Sequence, residues 1–71
     1  MHGTYSRSAR LRRYQIFWNS RYIGFEEGWN LTGRQALEIV ANESFGGIKK
    51  FNPGNEAVTN DGQILNAIIV R

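Results

Sequence analysis

Cysteine is absent from this 71-residue chain, which excludes disulfides and thiolate metal sites as staples. Histidine occurs once, at His2, so the rest of the chain has no imidazole to ligate a metal or serve as a catalytic base. Long apolar runs are also missing. The longest, AIIV at 67–70, falls far short of the roughly 20 residues a membrane helix needs. The opening MHGTYSRSAR has no apolar stretch of the kind a secretory signal carries. These absences predict a cytoplasmic chain or a piece of a soluble assembly, with no membrane contact.

Acidic residues are missing from the first 13 positions, which carry Arg7, Arg10, Arg12 and Arg13. Positions 14–71 hold five bases (Arg21, Arg34, Lys49, Lys50, Arg71) against six acids (Glu26, Glu27, Glu38, Glu43, Glu56, Asp61). The net charge of +3 is therefore +4 from the N-terminal segment and −1 from the remainder. Basicity confined to one end is the pattern of an interaction tail. The expected organisation is a basic flexible arm over 1–13 and a single folded domain over 14–71. A domain this small buries only about 60% of its unfolded surface. With disulfides excluded and no histidine or cysteine after His2 to hold a metal staple, the remaining support is a partner surface or a second copy.

Two segments, YQIFW (14–18) and YIGFEE (22–27), are rich in aromatic and β-branched residues and predict a hairpin. A two-residue loop places Tyr14, Ile16 and Trp18 on one face with Ile23 and Phe25, and leaves Gln15, Phe17, Tyr22, Gly24 and Glu26 on the other. Either loop pair, Asn19–Ser20 or Ser20–Arg21, lacks the glycine a tight hairpin prefers. A helix is predicted next, with Thr32 as N-cap, Gln35 completing a capping box, and Leu31 against Ala36 as a hydrophobic staple. Its apolar stripe is Ala36, Leu37, Val40 and Ala41, and Gly46–Gly47 stop it. IKKF (48–51) fits a short strand or an extended loop. NPGN (52–55) is a turn, and NDG (60–62) joins EAVT to QILNAIIVR as a second hairpin. The expected fold is α+β: a small antiparallel sheet in the order β-β-α-β-β, with room for a further short strand after the helix, and one helix packed on one face.

One helix covers one face of such a sheet, so the other meets water or a partner. The final strand is apolar on both parities, with Ile64, Ile68 and Val70 on one side and Leu65, Ala67 and Ile69 on the other. An apolar patch of a few hundred Å² is expected there, a size that marks interaction sites. The candidate partner-binding residues are Phe17, Tyr22, Arg21, Ile68 and Val70. Arg7, Arg10, Arg12 and Arg13 are candidates for contact with nucleic acid or an acidic partner, because guanidinium groups grip phosphate and carboxylate bidentately.

Other motifs have simpler readings. GGIKK (46–50) lacks the second glycine and following helix of a phosphate loop and is a helix stop. RYIGFEEG (21–28) shares Arg21, Gly24 and Phe25 with an RNA-recognition strand pattern, but glutamates stand where apolar and aromatic groups belong. Glu26 and Glu27 point to opposite faces of a strand and cannot work as a carboxylate pair. NDG lacks the ligand spacing of a calcium loop, and the sequons NLT (30–32) and NES (42–44) fall on a helix cap and a helix. No catalysis, cofactor, metal or small-molecule substrate is expected. The expected function is a non-catalytic binding module, a subunit or accessory factor of a larger assembly, using the open sheet face and the basic arm. Two alternatives remain at this stage: an RNA- or single-strand-binding protein that grips phosphates with its N-terminal arginines while Phe17 and Tyr22 stack on bases, and a small inhibitor of another protein.

Overall fold

The computed structural model describes residues 9–71. Five strands and one helix follow one another as β1 (Leu11–Trp18), β2 (Arg21–Trp29), α1 (Gly33–Ser44), β3 (Ile48–Asn52), β4 (Glu56–Thr59) and β5 (Ile64–Ile69). The strands form one sheet in the order β2-β1-β5-β4-β3, every neighbouring pair antiparallel. The α+β sheet with one helix on one face is as the sequence predicts. IKKF resolves as the additional strand, extended by Asn52. β5, the last strand, lies at the centre.

The helix start follows from its chemistry. The Thr32 side chain accepts from the Gln35 backbone N–H at 3.1 Å, and the Gln35 side chain accepts from the Thr32 N–H at 2.9 Å. Two N–H groups that helix geometry leaves without partners are thereby satisfied. Leu31 and Ala36 are both buried, as the staple requires. At the other end Gly46 and Gly47 take positive φ, and the Gly47 N–H reaches the Ala41 carbonyl at 2.9 Å. Phe45 folds back edge-on to Trp18, ring centroids 5.5 Å apart.

Helix α1 lies chiefly against β1, β3, β4 and β5 and leaves β2 largely uncovered. Between helix and sheet sit Tyr14, Ile16, Leu31, Ala36, Leu37, Ala41, Ala57, Leu65 and Ala67. Four of these nine are alanine, which lets the helix approach closely but removes little apolar area from water per residue. Thr59 is the buried polar residue among those described. Its hydroxyl donates to Asp61 and accepts from the Gln63 N–H, so it closes the second hairpin from inside.

Two expectations about the first hairpin change. The loop is Asn19–Ser20, as the two-residue register requires, with Phe17 opposite Tyr22 and Trp18 opposite Arg21. A bulge then inserts Ile23, so Ile16 faces Gly24, Gln15 faces Phe25 and Tyr14 faces Glu26. Phe25 therefore turns to the face away from the helix, while Gly24 and Glu26 turn toward it. The expected register gathered large apolar groups where a helix would cover them, but this helix meets β2 only along an edge cleft, so little is gained. A β-bulge moves one strand's side chains to the other face without moving the loop. The second change is a boundary. β1 begins at Leu11 and is anchored one residue earlier, where the Arg10 N–H donates to the Asn30 side chain at 3.0 Å and the Arg10 carbonyl accepts from the Asn30 N–H at 2.7 Å. Arg12 and Arg13 thus belong to the sheet and not to an arm. Arg7 lies outside the described residues.

Candidate functional site

The face opposite the helix follows from strand pairing. Residues opposite each other on paired strands point to the same side, and neighbours along a strand alternate. Tyr14 and Ile16 are buried under the helix, so Leu11, Arg13, Gln15 and Phe17 face away from it. Their partners Trp29, Glu27, Phe25 and Tyr22 share that face. On β5 the same side carries Ile64, Asn66, Ile68 and Val70, and on β4 it carries Glu56 and Val58. Nine large hydrophobic residues are exposed among the described residues, and seven of them lie here: Leu11, Tyr22, Phe25, Trp29, Ile64, Ile68 and Val70. Ile23 and Ile39 are the two elsewhere.

The face has internal order. Phe17 and Tyr22 meet edge-to-face, centroids 5.8 Å apart. The Arg13 guanidinium lies 4.6 Å from the centre of the Phe25 ring and 3.2 Å from a Glu27 carboxylate oxygen. Both are surface interactions of modest worth, about 0.5–1 kcal/mol each. Near the hairpin turn, Phe17, Ile64, Ile68 and Asn66 line a groove of about 610 Å³.

Four of the five expected partner-binding residues, Phe17, Tyr22, Ile68 and Val70, come together on this face. Arg21 does not, because its partner Trp18 points to the helix side. Sequence reasoning missed Leu11, Phe25 and Trp29. Trp29 is 70% exposed, the most exposed large hydrophobic residue described. Its signal was present in sequence as an aromatic at a strand end, but its face depends on the bulge at Ile23.

The expected arginines divide as well. Arg13 is on the open face. Arg12 has the parity of Tyr14 and points to the helix side, as does Arg10 one step further along the extended chain. Phe17 and Tyr22 lie at the opposite end of the hairpin from these arginines and on the opposite face. Arg10 and Arg12 therefore do not share a surface with Phe17 and Tyr22, whereas Arg13 does.

On the helix side, the uncovered edge leaves a cleft between β2 and α1 in which Glu26 and Glu43 approach each other. Burial raises the Glu26 carboxyl above the usual carboxylate range, and the nearby Glu43 charge adds to the shift. No group of three or more metal-ligating side chains occurs among the described residues, and none of their helices is long and apolar enough to cross a membrane. Comparison with protein families, characterised proteins and solved structures returns no match.

Proposed function

We propose that this chain is a non-catalytic binding module, a subunit of a larger protein assembly, whose open sheet face docks against protein, in the first instance a second copy of itself. The observation that carries the reading is the segregation of seven of nine exposed large hydrophobic residues onto one sheet face. A solvated antiparallel sheet presents polar side chains on its outer surface. This one presents three aromatic rings, a leucine, two isoleucines and a valine.

Area supports a second copy as occupant. Five strands about 4.8 Å apart make a face roughly 24 Å wide, on the order of 500 Å² in projection and more as accessible surface. Two such faces stacked about 10 Å apart reach the low end of the roughly 1,200–2,000 Å² buried by stable interfaces. Charge does not oppose the pairing, since the face carries both signs, with Arg13 and Lys50 against Glu27 and Glu56. The thin, alanine-rich core supplies the reason: a 71-residue chain gains stability from burial outside its own boundary.

Native mass at tens of micromolar tests this. The expected species is a dimer of the 8.1 kDa chain. Ile68→Glu, at the centre of the face, is expected to give a monomer with unchanged far-UV circular dichroism. A wild-type protein that stays monomeric, or an Ile68→Glu dimer as tight as wild type, overturns the proposal.

A further inference from the structure

At the end of the sheet away from the first hairpin turn, three arginines line one groove, and none of the other lining residues has an acidic side chain. The register continues past the Tyr14–Ile69 pair, with the Val70 N–H donating to the Arg13 carbonyl at 2.9 Å. The next positions in that register are Arg12 and Arg71, which therefore oppose each other across the strands. Arg10 follows two residues along the same side of the chain, a step of about 6.6 Å. Arg10, Arg12 and Arg71 line one groove of about 490 Å³ with Tyr14, Ile69 and Asn55.

All three arginines are exposed, so their repulsion is screened by solvent but not balanced by a neighbouring acidic side chain. Like charges directly opposite on neighbouring strands destabilise a sheet. The ion pair among the described residues is Arg13–Glu27, on the other face. Residues 1–8 hold no aspartate or glutamate, so they cannot neutralise the cluster, and Arg7 adds to the positive charge of that segment. The β3–β4 turn completes the groove. Asn55 takes a positive φ of 56°, and its side chain packs on Gly33, the first residue of α1. The positive end of the helix dipole is therefore adjacent to the same turn.

We propose that this groove is an oxyanion site that binds phosphate groups, with Arg10, Arg12 and Arg71 as the phosphate ligands and Asn55 as a neutral donor. Guanidinium forks match phosphate oxygens in pairs. Three of them spaced along a strand and across to its neighbour suit successive phosphates of a chain better than a single ion. The favoured source is a single-stranded nucleic-acid backbone, and free polyphosphate shares the chemistry. The groove sits at the end of the sheet and borders the proposed docking surface at Leu11 and Val70, but its three arginines point away from that surface and the phosphate assignment does not rest on it.

The test is fluorescence anisotropy of the full chain with a labelled oligothymidylate about 12 nucleotides long, within the usual site size of single-strand binders. Three phosphate contacts give a slope of about −2 for log affinity against log salt, and loss of two brings it to about −0.7. Arg12→Gln with Arg71→Gln is expected to weaken binding at least about tenfold at low salt. The charge-matched pair Arg21→Gln with Lys49→Gln, outside the groove, is expected to change it less than about threefold. Melting temperature provides a folding check independent of ligand: the Arg12/Arg71 variant melts at or above wild type, because a repulsion is removed. Tripolyphosphate competing as well as the oligonucleotide per phosphate, with no dependence on oligonucleotide length, identifies free phosphate as the source. No binding at low salt, equal loss in the charge-matched control, or displacement by polyglutamate as effective as by polyphosphate overturns the phosphate assignment, the last in favour of an acidic protein.

Discussion

Asn55 occupies the space that a side chain at Gly33 would need. A Cβ built on Gly33 comes 2.3 Å from the Asn55 Cγ and 2.5 Å from both terminal atoms of the amide. Glycine at the first helical position thus lets the β3–β4 turn sit against the helix start, and the same asparagine borders the arginine groove. Gly33→Ala is expected to destabilise the fold by about 1 kcal/mol, below the usual core overpacking cost because the exposed Asn55 amide can swing aside. Chemical denaturation measures it. Combining Gly33→Ala with Asn55→Gly is expected to recover most of the loss, whereas additive losses would show that the two positions do not share this space.

The first hairpin turn is built without glycine although both loop residues have positive φ, 47° at Asn19 and 69° at Ser20. This is the backbone of a type I′ turn. Asn19 tolerates it and is held from outside, with its N–H on the Ile64 carbonyl at 2.9 Å and its amide on Gln63 at 3.3 Å. Ser20 has no such support among the described hydrogen bonds. Ser20→Gly is expected to raise stability by about 0.5–1 kcal/mol, since glycine removes the left-handed penalty. That corresponds to a rise of a few degrees in Tm for a domain this size, about 4–8 °C per kcal/mol. An unchanged or lower Tm would contradict it.

Glu26 gives the fold a pH dependence of defined sign. Its folded pKa is raised by burial and by Glu43, so the folded state holds the proton more tightly than the unfolded chain. The carboxylate therefore costs stability once ionised. The cost is absent below the unfolded carboxylate pKa of about 4.3 and develops as pH rises through the raised folded value. Glu26→Gln is expected to melt above wild type at pH 7 and level with it at about pH 3.5. Glu43→Gln is expected to act in the same direction and more weakly. A Glu26→Gln variant less stable than wild type at pH 7 would show that the carboxylate is held by a favourable contact.

Trp18 is tied to the second hairpin by its indole N–H, which donates to the Gln63 side chain at 2.8 Å across 45 positions of sequence. The same amide oxygen accepts from Asn19, so Gln63 joins the two hairpins. Gln63→Leu leaves a partly buried indole N–H without its acceptor and is expected to cost about 1–2 kcal/mol. If denaturation shows less than about 0.5 kcal/mol, water satisfies the indole as well as Gln63 does.

Local chemistry was sufficient for much of this molecule. The capping box at Thr32 and Gln35, the glycine stop at 46–47, the NDG hairpin and the α+β order rest on interactions within a few residues, and they appear where the sequence places them. So does the two-sided apolar character of 64–70, which made an open apolar face foreseeable once a single helix was counted. The membership of that face was not foreseeable. It depends on the bulge at Ile23, which turns Phe25 outward, and on the helix leaving β2 largely uncovered. The arginine groove is more remote still from sequence reading. Arg12 and Arg71 stand 59 positions apart and line one groove because β1 pairs with β5 in the sheet. Periodicity assigns a side chain to one of two faces, but long-range strand pairing decides which faces and which charges lie side by side, and that pairing is settled by the packing of the whole chain.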